Sequence, residues 1–284
     1  YFPILDVEAP FNCVMHATYM LGDQRNNLSP EPANKKIVKE QLLFLTEVAE
    51  TLVANRKYEE AYKILLPKNH LSVFSRFQSA HFDAERAYID FLKDKSLFRT
   101  VGGDVISLEM NPRMLQGEFP QVFRDEKIKN LLEPIQNREF IEFLCKTVAS
   151  ELGKQLLYSE NELCSIINEK SEGWSAENRV AVFIWWNRVF DGSVGTVTVL
   201  PKLLRTETDR WLTYQSECYF LVGDFDANQI PKWTRVPALK KEDQDELFRQ
   251  SEMLDTVKQL RSTDEKQHIS RIIARNNIYP LVTF

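Results

Sequence analysis

From residue 35 to about residue 172, apolar side chains recur at three- and four-residue spacings. Ile37, Leu42, Leu45, Val48, Ala49 and Leu52 fall on one face of a helix that begins near Lys35. Asn55-Arg56-Lys57 interrupts the pattern, and residues 58–65 predict a second, shorter helix that Pro67 ends. A third helix is expected over 71–93, its stripe formed by Phe74, Phe77, Phe82, Ala84, Ala87, Tyr88, Phe91 and Leu92. Gly102-Gly103-Asp104 is a turn signal, and 108–125, with Pro112, Gly117 and Pro120, predicts loop with short helical turns. Phe140, Ile141, Leu144, Val148, Leu152 and Leu156 then mark a long helix over 137–157. Ser159 with Glu162 three residues on is a capping-box pattern opening a helix through Ile167. Ser175 opens the next one. Its run 179–190 is apolar nearly all round, which predicts a place at the centre of a core.

After Asp191-Gly192 the period changes. Val194, Thr196, Val197, Thr198 and Val199 are β-branched, and 218–222 is a second candidate strand closed by Gly223. Residues 203–214 between them suit a helix. Pro231 and Pro237 mark a loop, after which 240–261 and 264–276 return to helical spacing. Trp174, Trp185, Trp186, Trp211 and Trp233, all the tryptophans of the chain, fall in this later part. The expected organisation is therefore an irregular arm at 1–34, a helical-hairpin domain at 35–172, and a Trp-rich α+β or helical portion at 173–284. The arm carries Pro3, Pro10, Pro30 and Pro32 around a polar stretch.

The first two helices resemble a single tetratricopeptide-type hairpin. Leu45, Val48, Ala49 and Leu52 match the packing positions of that repeat's first helix, and Tyr58, Ala61 and Leu65 those of its second. Lys68 and Val73 depart from the small residue and the closing proline of the repeat, and no second copy follows in register. The resemblance implies a mainly α fold with a tetratricopeptide- or HEAT-like layer, the Trp-rich portion packing on it.

Composition narrows the function classes. The 284 residues suffice for one large domain or two ordinary ones. Only 9 are glycine, which argues against a glycine-rich nucleotide-binding fold. A net charge of -5 offers no global positive field for nucleic acid. Cys13, Cys145, Cys164 and Cys218 are widely separated and predict free thiols in a reducing compartment, cytoplasmic or nuclear. The longest apolar run, 180–186, is far short of a membrane span, so no membrane partner is expected. A first residue of Tyr rather than Met is what a piece of a longer chain would show.

Candidate chemistry is sparse. Tyr219 to Asp226 delivers two carboxylates, Asp224 and Asp226, from a hydrophobic strand into a turn, one way to present hard oxygen ligands to Mg²⁺. The string resembles the Gly-Asp-Phe-Asn motif of the endonuclease/exonuclease/phosphatase family, with Asp226 in place of Asn and no downstream Ser-Asp-His. That resemblance implies a metal-dependent phosphoesterase with Asp224 as the acid. Cys13 and His16 supply half of a zinc-ligand spacing and nothing completes it. Residues 53–62, Phe82-Asp83-Ala84-Glu85 and Asp94-Lys95-Ser96-Leu97 are similar to the helical N-terminal region of Nibbler-type 3′–5′ exonucleases. That likeness implies an RNA-associated subunit of a processing or silencing complex. No nucleophile elbow, phosphate loop or paired-histidine motif is present.

These features predict a non-catalytic adaptor or scaffold, without metal or cofactor, that binds a protein subunit or peptide. Trp233, Trp211, Arg210 and Arg235 are the expected contact residues, because exposed Trp and Arg make strong anchors. Trp185 and Trp186 are expected in the core. Arg271 and Arg275, on one face of the last helix with His268, extend the surface and would suit single-stranded RNA as the alternative partner.

Overall fold

The computed structural model describes residues 11–13, 17–20, 32–68, 83–190, 201–212, 218–221, 237–258 and 278–281. These residues are mostly helical, as the spacing predicts. They divide into two compact units, one comprising 1–115 and 127–157, the other Gln116–Glu126 and Tyr158–Phe284. The composition change near residue 172 thus falls inside the second unit.

In the first unit, α1 (Pro32–Ala54) and α2 (Tyr58–Leu65) are joined by the Asn55-Arg56-Lys57 turn. Arg56 takes a left-handed φ of 61°, and the amides of Arg56 and Lys57 return to the carbonyls of Val53 and Leu52. Asn34 in the first turn of α1 is buried and exchanges two hydrogen bonds with the backbone of Met20, tying residues 17–20 to the helix. α1 packs against both α2 and α3 (Ala84–Asp94). Asp83 caps α3, its carboxylate accepting from the Arg86 amide at 3.1 Å. Phe74, Phe77 and Phe82 of the expected third helix lie outside the described residues.

The glycine turn forms as expected. Gly103 has φ 92° and closes a minimal hairpin between β1 (Phe98–Arg99) and β2 (Val105–Ile106). Two residues per strand is too little for a period-two signal, so these strands were not expected. A short 3₁₀ turn, Leu108–Met110, follows. α5 (Arg138–Phe143), the fifth helix in chain order, starts at the Asn137 cap and runs on through a π-helical turn, Leu144–Val148, to Glu151. It stops there and not at 157. Gly153 adopts φ 60°, and the Lys154 amide bonds the Ala149 carbonyl across the cap, while residues 156–157 turn to pair with Met114. Nothing lies within 4 Å of a Cβ built on Gly153, so its requirement is conformational. Gly153→Ala should cost about 1 kcal/mol, read as a lower urea midpoint at constant m-value.

The first unit's core is one cluster of stacked rings and aliphatics. Tyr62 lies parallel to Phe140 at 5.0 Å and to Phe98 at 6.2 Å, and Tyr88 meets Phe143 at 6.4 Å. Phe11, from the expected irregular arm, is fully buried against Tyr88 and bridges Pro67. The Tyr88 hydroxyl donates to the Leu65 carbonyl, so the cost of burying that hydroxyl is met.

In the second unit, α4 (Val122–Asp125) is a single turn within the 116–126 excursion. α6 (Glu160–Lys170) opens on the expected capping box, Ser159 and Glu162 each accepting from or donating to the other's end of the first turn. A 3₁₀ turn, Ser171–Gly173, leads to α7 (Ala176–Phe190), whose Val180, Val182, Phe183, Trp185 and Trp186 are buried. α8 (Lys241–Lys258) packs on α7. β3 (Cys218–Leu221) is the expected strand, and it pairs in parallel with β4 (Ile278–Leu281), which was not expected. The candidate strand at 194–199 and the candidate helix at 264–276 lie outside the described residues.

One expectation fails outright. Residues 203–212 are not helical: they form a tight hairpin, with Arg205 opposite Trp211, closed by Thr206 to Asp209. Asp209 is left-handed at φ 55°, a conformation Asp tolerates and a helix forbids. Leu203, Leu204 and Leu212 mimic helical spacing because both arms of the hairpin send leucines into the same core.

Candidate functional site

The hairpin acquires a third segment. Thr206 bridges Leu239, the Glu207 amide bonds the Ala238 carbonyl and the Lys240 amide bonds the Arg205 carbonyl. This register sets Trp211, Arg205 and Lys240 in a row across three neighbouring segments, on one face. Trp211 is half-buried, whereas Trp174, Trp185 and Trp186 are 5%, 2% and 3% exposed. Among the described tryptophans, Trp211 is the indole left available to another molecule. Arg210, its neighbour in sequence, is exposed.

Two guanidinium groups hold the Trp211 ring, Arg205 at 5.8 Å and Arg179 at 6.0 Å from its centroid. Arg179, from the first turns of α7, is 1% exposed. Its guanidinium forms an ion pair with buried Asp243 of α8 and donates to the Trp174 carbonyl at 2.5 Å. The second carboxylate oxygen of Asp243 accepts the Arg205 amide at 2.7 Å. One buried carboxylate therefore ties α7, α8 and the hairpin that carries Trp211. It also sits in the first turn of α8, where the helix dipole favours negative charge.

The surrounding charges are matched. Lys240 donates to Asp209 at 2.7 Å, while Arg205 stands 4.0 Å from Asp209 and 3.8 Å from Glu242. Its bond with Lys240, reinforced by the Lys240 and Arg205 charges, holds the Asp209 carboxyl below the usual carboxylate range. Asp209 and Glu242 are both largely exposed, so these pairs organise the face more than they stabilise it.

Of the residues expected from the sequence, the structure describes Trp211 and Arg210 and places them side by side on the hairpin. Trp233, Arg235, Arg271 and Arg275 lie outside the described residues, as do Asp224, Asp226, His16 and His268. Arg179, the first residue of the apolar run 179–190, is a core residue. Lys240, Arg205 and Asp243 went unnoticed as a group, because their register depends on a hairpin that spacing alone mistakes for helix. The four cysteines form no disulfide, and burial raises the thiols of Cys13, Cys145 and Cys164, which disfavours the thiolate form a nucleophile needs. Among the described residues no three His, Cys, Asp or Glu side chains gather as metal ligands, and no helix is long and apolar enough to cross a membrane. Comparison with protein-family models, with curated proteins and with solved structures finds no match to this chain.

Proposed function

We propose that this chain is a non-catalytic adaptor or scaffold module that binds a partner protein. Trp211 is the anchor, with Arg210 beside it. The observation that carries the reading is the contrast in burial: three described tryptophans fill the second unit's core, while the fourth is held at the surface by two arginines. An anchor already rigid before binding loses little side-chain entropy on contact, which is the property of a binding hot spot. The α1–α2 hairpin, taken as a tetratricopeptide- or HEAT-like layer, supplies a helical surface of the kind that receives partner segments.

Protein is favoured over RNA by the charge balance. The Arg205 and Lys240 cations already face Asp209 and Glu242, and Arg179 is committed to Asp243. Trp211→Ala and Arg210→Ala proteins, both still folded by circular dichroism, provide the test against partners recovered by cross-linking to the wild-type chain. Trp211→Ala should weaken partner binding by roughly 30-fold, the effect of losing a hot spot worth about 2 kcal/mol. Binding should also change little between low and moderate salt. A steep fall in affinity with salt would assign the surface to nucleic acid instead. Unchanged binding by Trp211→Ala would remove this face from the function.

A further inference from the structure

α1 carries more apolar side chains than its own packing uses. Val38, Leu42, Leu45, Ala49 and Val53 fill the first unit's core. Beside that stripe runs another. Ile37, Gln41, Phe44, Val48 and Thr51 follow one another at alternating spacings of four and three, the seam of a helix that packs lengthwise on a second helix. Phe44, at the middle of α1, is 65% exposed, more than any other large apolar side chain among the described residues. Ile37 and Val48, before and after it on the seam, are half-buried. A helix that served only its own core would present polar residues along this line. Gln41 is already held in place, its side-chain oxygen accepting from the Tyr19 hydroxyl.

The two flanks of the seam differ. On one side Val38, Leu45 and Leu52 pack into the unit's own core. On the other side Glu40 and Glu47, seven residues apart, are exposed, and neither enters an ion pair among the described residues. These carboxylates decide what can lie along the seam. A second copy in antiparallel register about Phe44 would set Glu40 of each chain against Glu47 of the other, like charges at the positions where helix pairs place opposite ones. A parallel second copy would bring the same glutamates to the flank of Val38, Leu45 and Leu52, which is already buried. Charge complementarity therefore calls for a different helix, one with cations where α1 has glutamates.

We propose that the seam from Ile37 to Thr51 docks an amphipathic helix of a partner protein, antiparallel to α1, with Lys or Arg residues seven apart facing Glu40 and Glu47. Phe44 is the central apolar contact, and burying its ring supplies most of the affinity. The glutamates, being at the surface, add little energy and chiefly select the partner and its register. The seam belongs to the first unit and does not rest on the reading given to Trp211.

The probe is a fluorescein-labelled peptide of 23 residues, the length of α1, with leucine at its heptad a and d positions and lysine at e and g. Repulsion between lysines keeps it from pairing with itself. A second peptide carries glutamate in place of each lysine. Anisotropy is followed on titration with the full chain. Wild type should bind the lysine peptide roughly tenfold more tightly than the glutamate peptide. Glu40→Lys combined with Glu47→Lys should reverse that order. The chain stays net negative after both changes, so a reversal reports these two positions and not the overall charge. Phe44→Ala, a change at an exposed position, should weaken lysine-peptide binding roughly tenfold with folding intact. Equal binding of the two peptides by wild type, an unaltered order in the double variant, or full affinity in Phe44→Ala would overturn the proposal. So would loss of binding in Trp211→Ala, which should leave it unchanged, because the peptide would then sit on the other face. A Phe44-dependent dimer in sedimentation velocity would give the seam to a second copy instead.

Discussion

Asp243→Ala should destabilise the second unit by about 3–5 kcal/mol, the largest loss expected from removing one polar side chain here. The effect has two sources. Arg179 is left as a buried cation, 1% exposed, with the Trp174 carbonyl and the Trp211 ring in place of its carboxylate. The Arg205 amide loses its acceptor as well, so the hairpin is freed from α8. A charge without a partner in a low-dielectric interior costs far more than the pair contributes when intact. Replacing both members, Arg179→Met with Asp243→Leu, should therefore recover part of the loss, although the Arg205 amide still lacks its acceptor. Urea unfolding of the single and double variants checks both statements. A loss under about 1 kcal/mol for Asp243→Ala would mean that water reaches the pair.

Phe140→Ala should cost about 3–5 kcal/mol in the first unit. Phe140 is fully buried at the start of α5, parallel to Tyr62 and 6.3 Å from Phe143, so it joins the α2 side of the ring stack to the α5 side. Deleting the ring removes its transfer free energy and leaves a cavity that stacked neighbours collapse into poorly. Amide exchange in α2 and α5 should accelerate together, because the lost contact serves both. A cost below about 1.5 kcal/mol would indicate that Tyr62 and Phe143 close the gap.

Local chemistry made several elements readable in the sequence. The limits of α2 follow from the Asn55-Arg56-Lys57 turn and Pro67, and the start of α6 from Ser159 and Glu162, since each signal acts within one turn of the residues that carry it. The helix over 137–157 was legible at its beginning and not at its end. Leu152 and Leu156 keep the apolar spacing past a cap that Gly153 had already imposed. The candidate site was less legible for a different reason. Trp211 and Arg210 stand out as residue types, but the row they form with Arg205 and Lys240 depends on pairing between segments more than thirty residues apart in sequence. Arg179 left no such trace: the same run contains Arg188, which is exposed, so only the fold shows that Arg179 is buried and that Asp243, sixty-four residues away, answers it.

All five indoles of the chain occur within the sequence span of the second unit, and the first unit's rings are Phe and Tyr. The molecule thus carries a built-in optical label confined to one half. Light absorbed by indole alone leaves the 1–115 and 127–157 portion dark. Emission spectra then report melting, ligand contact or quenching in one half, free of signal from the other, without any dye being attached.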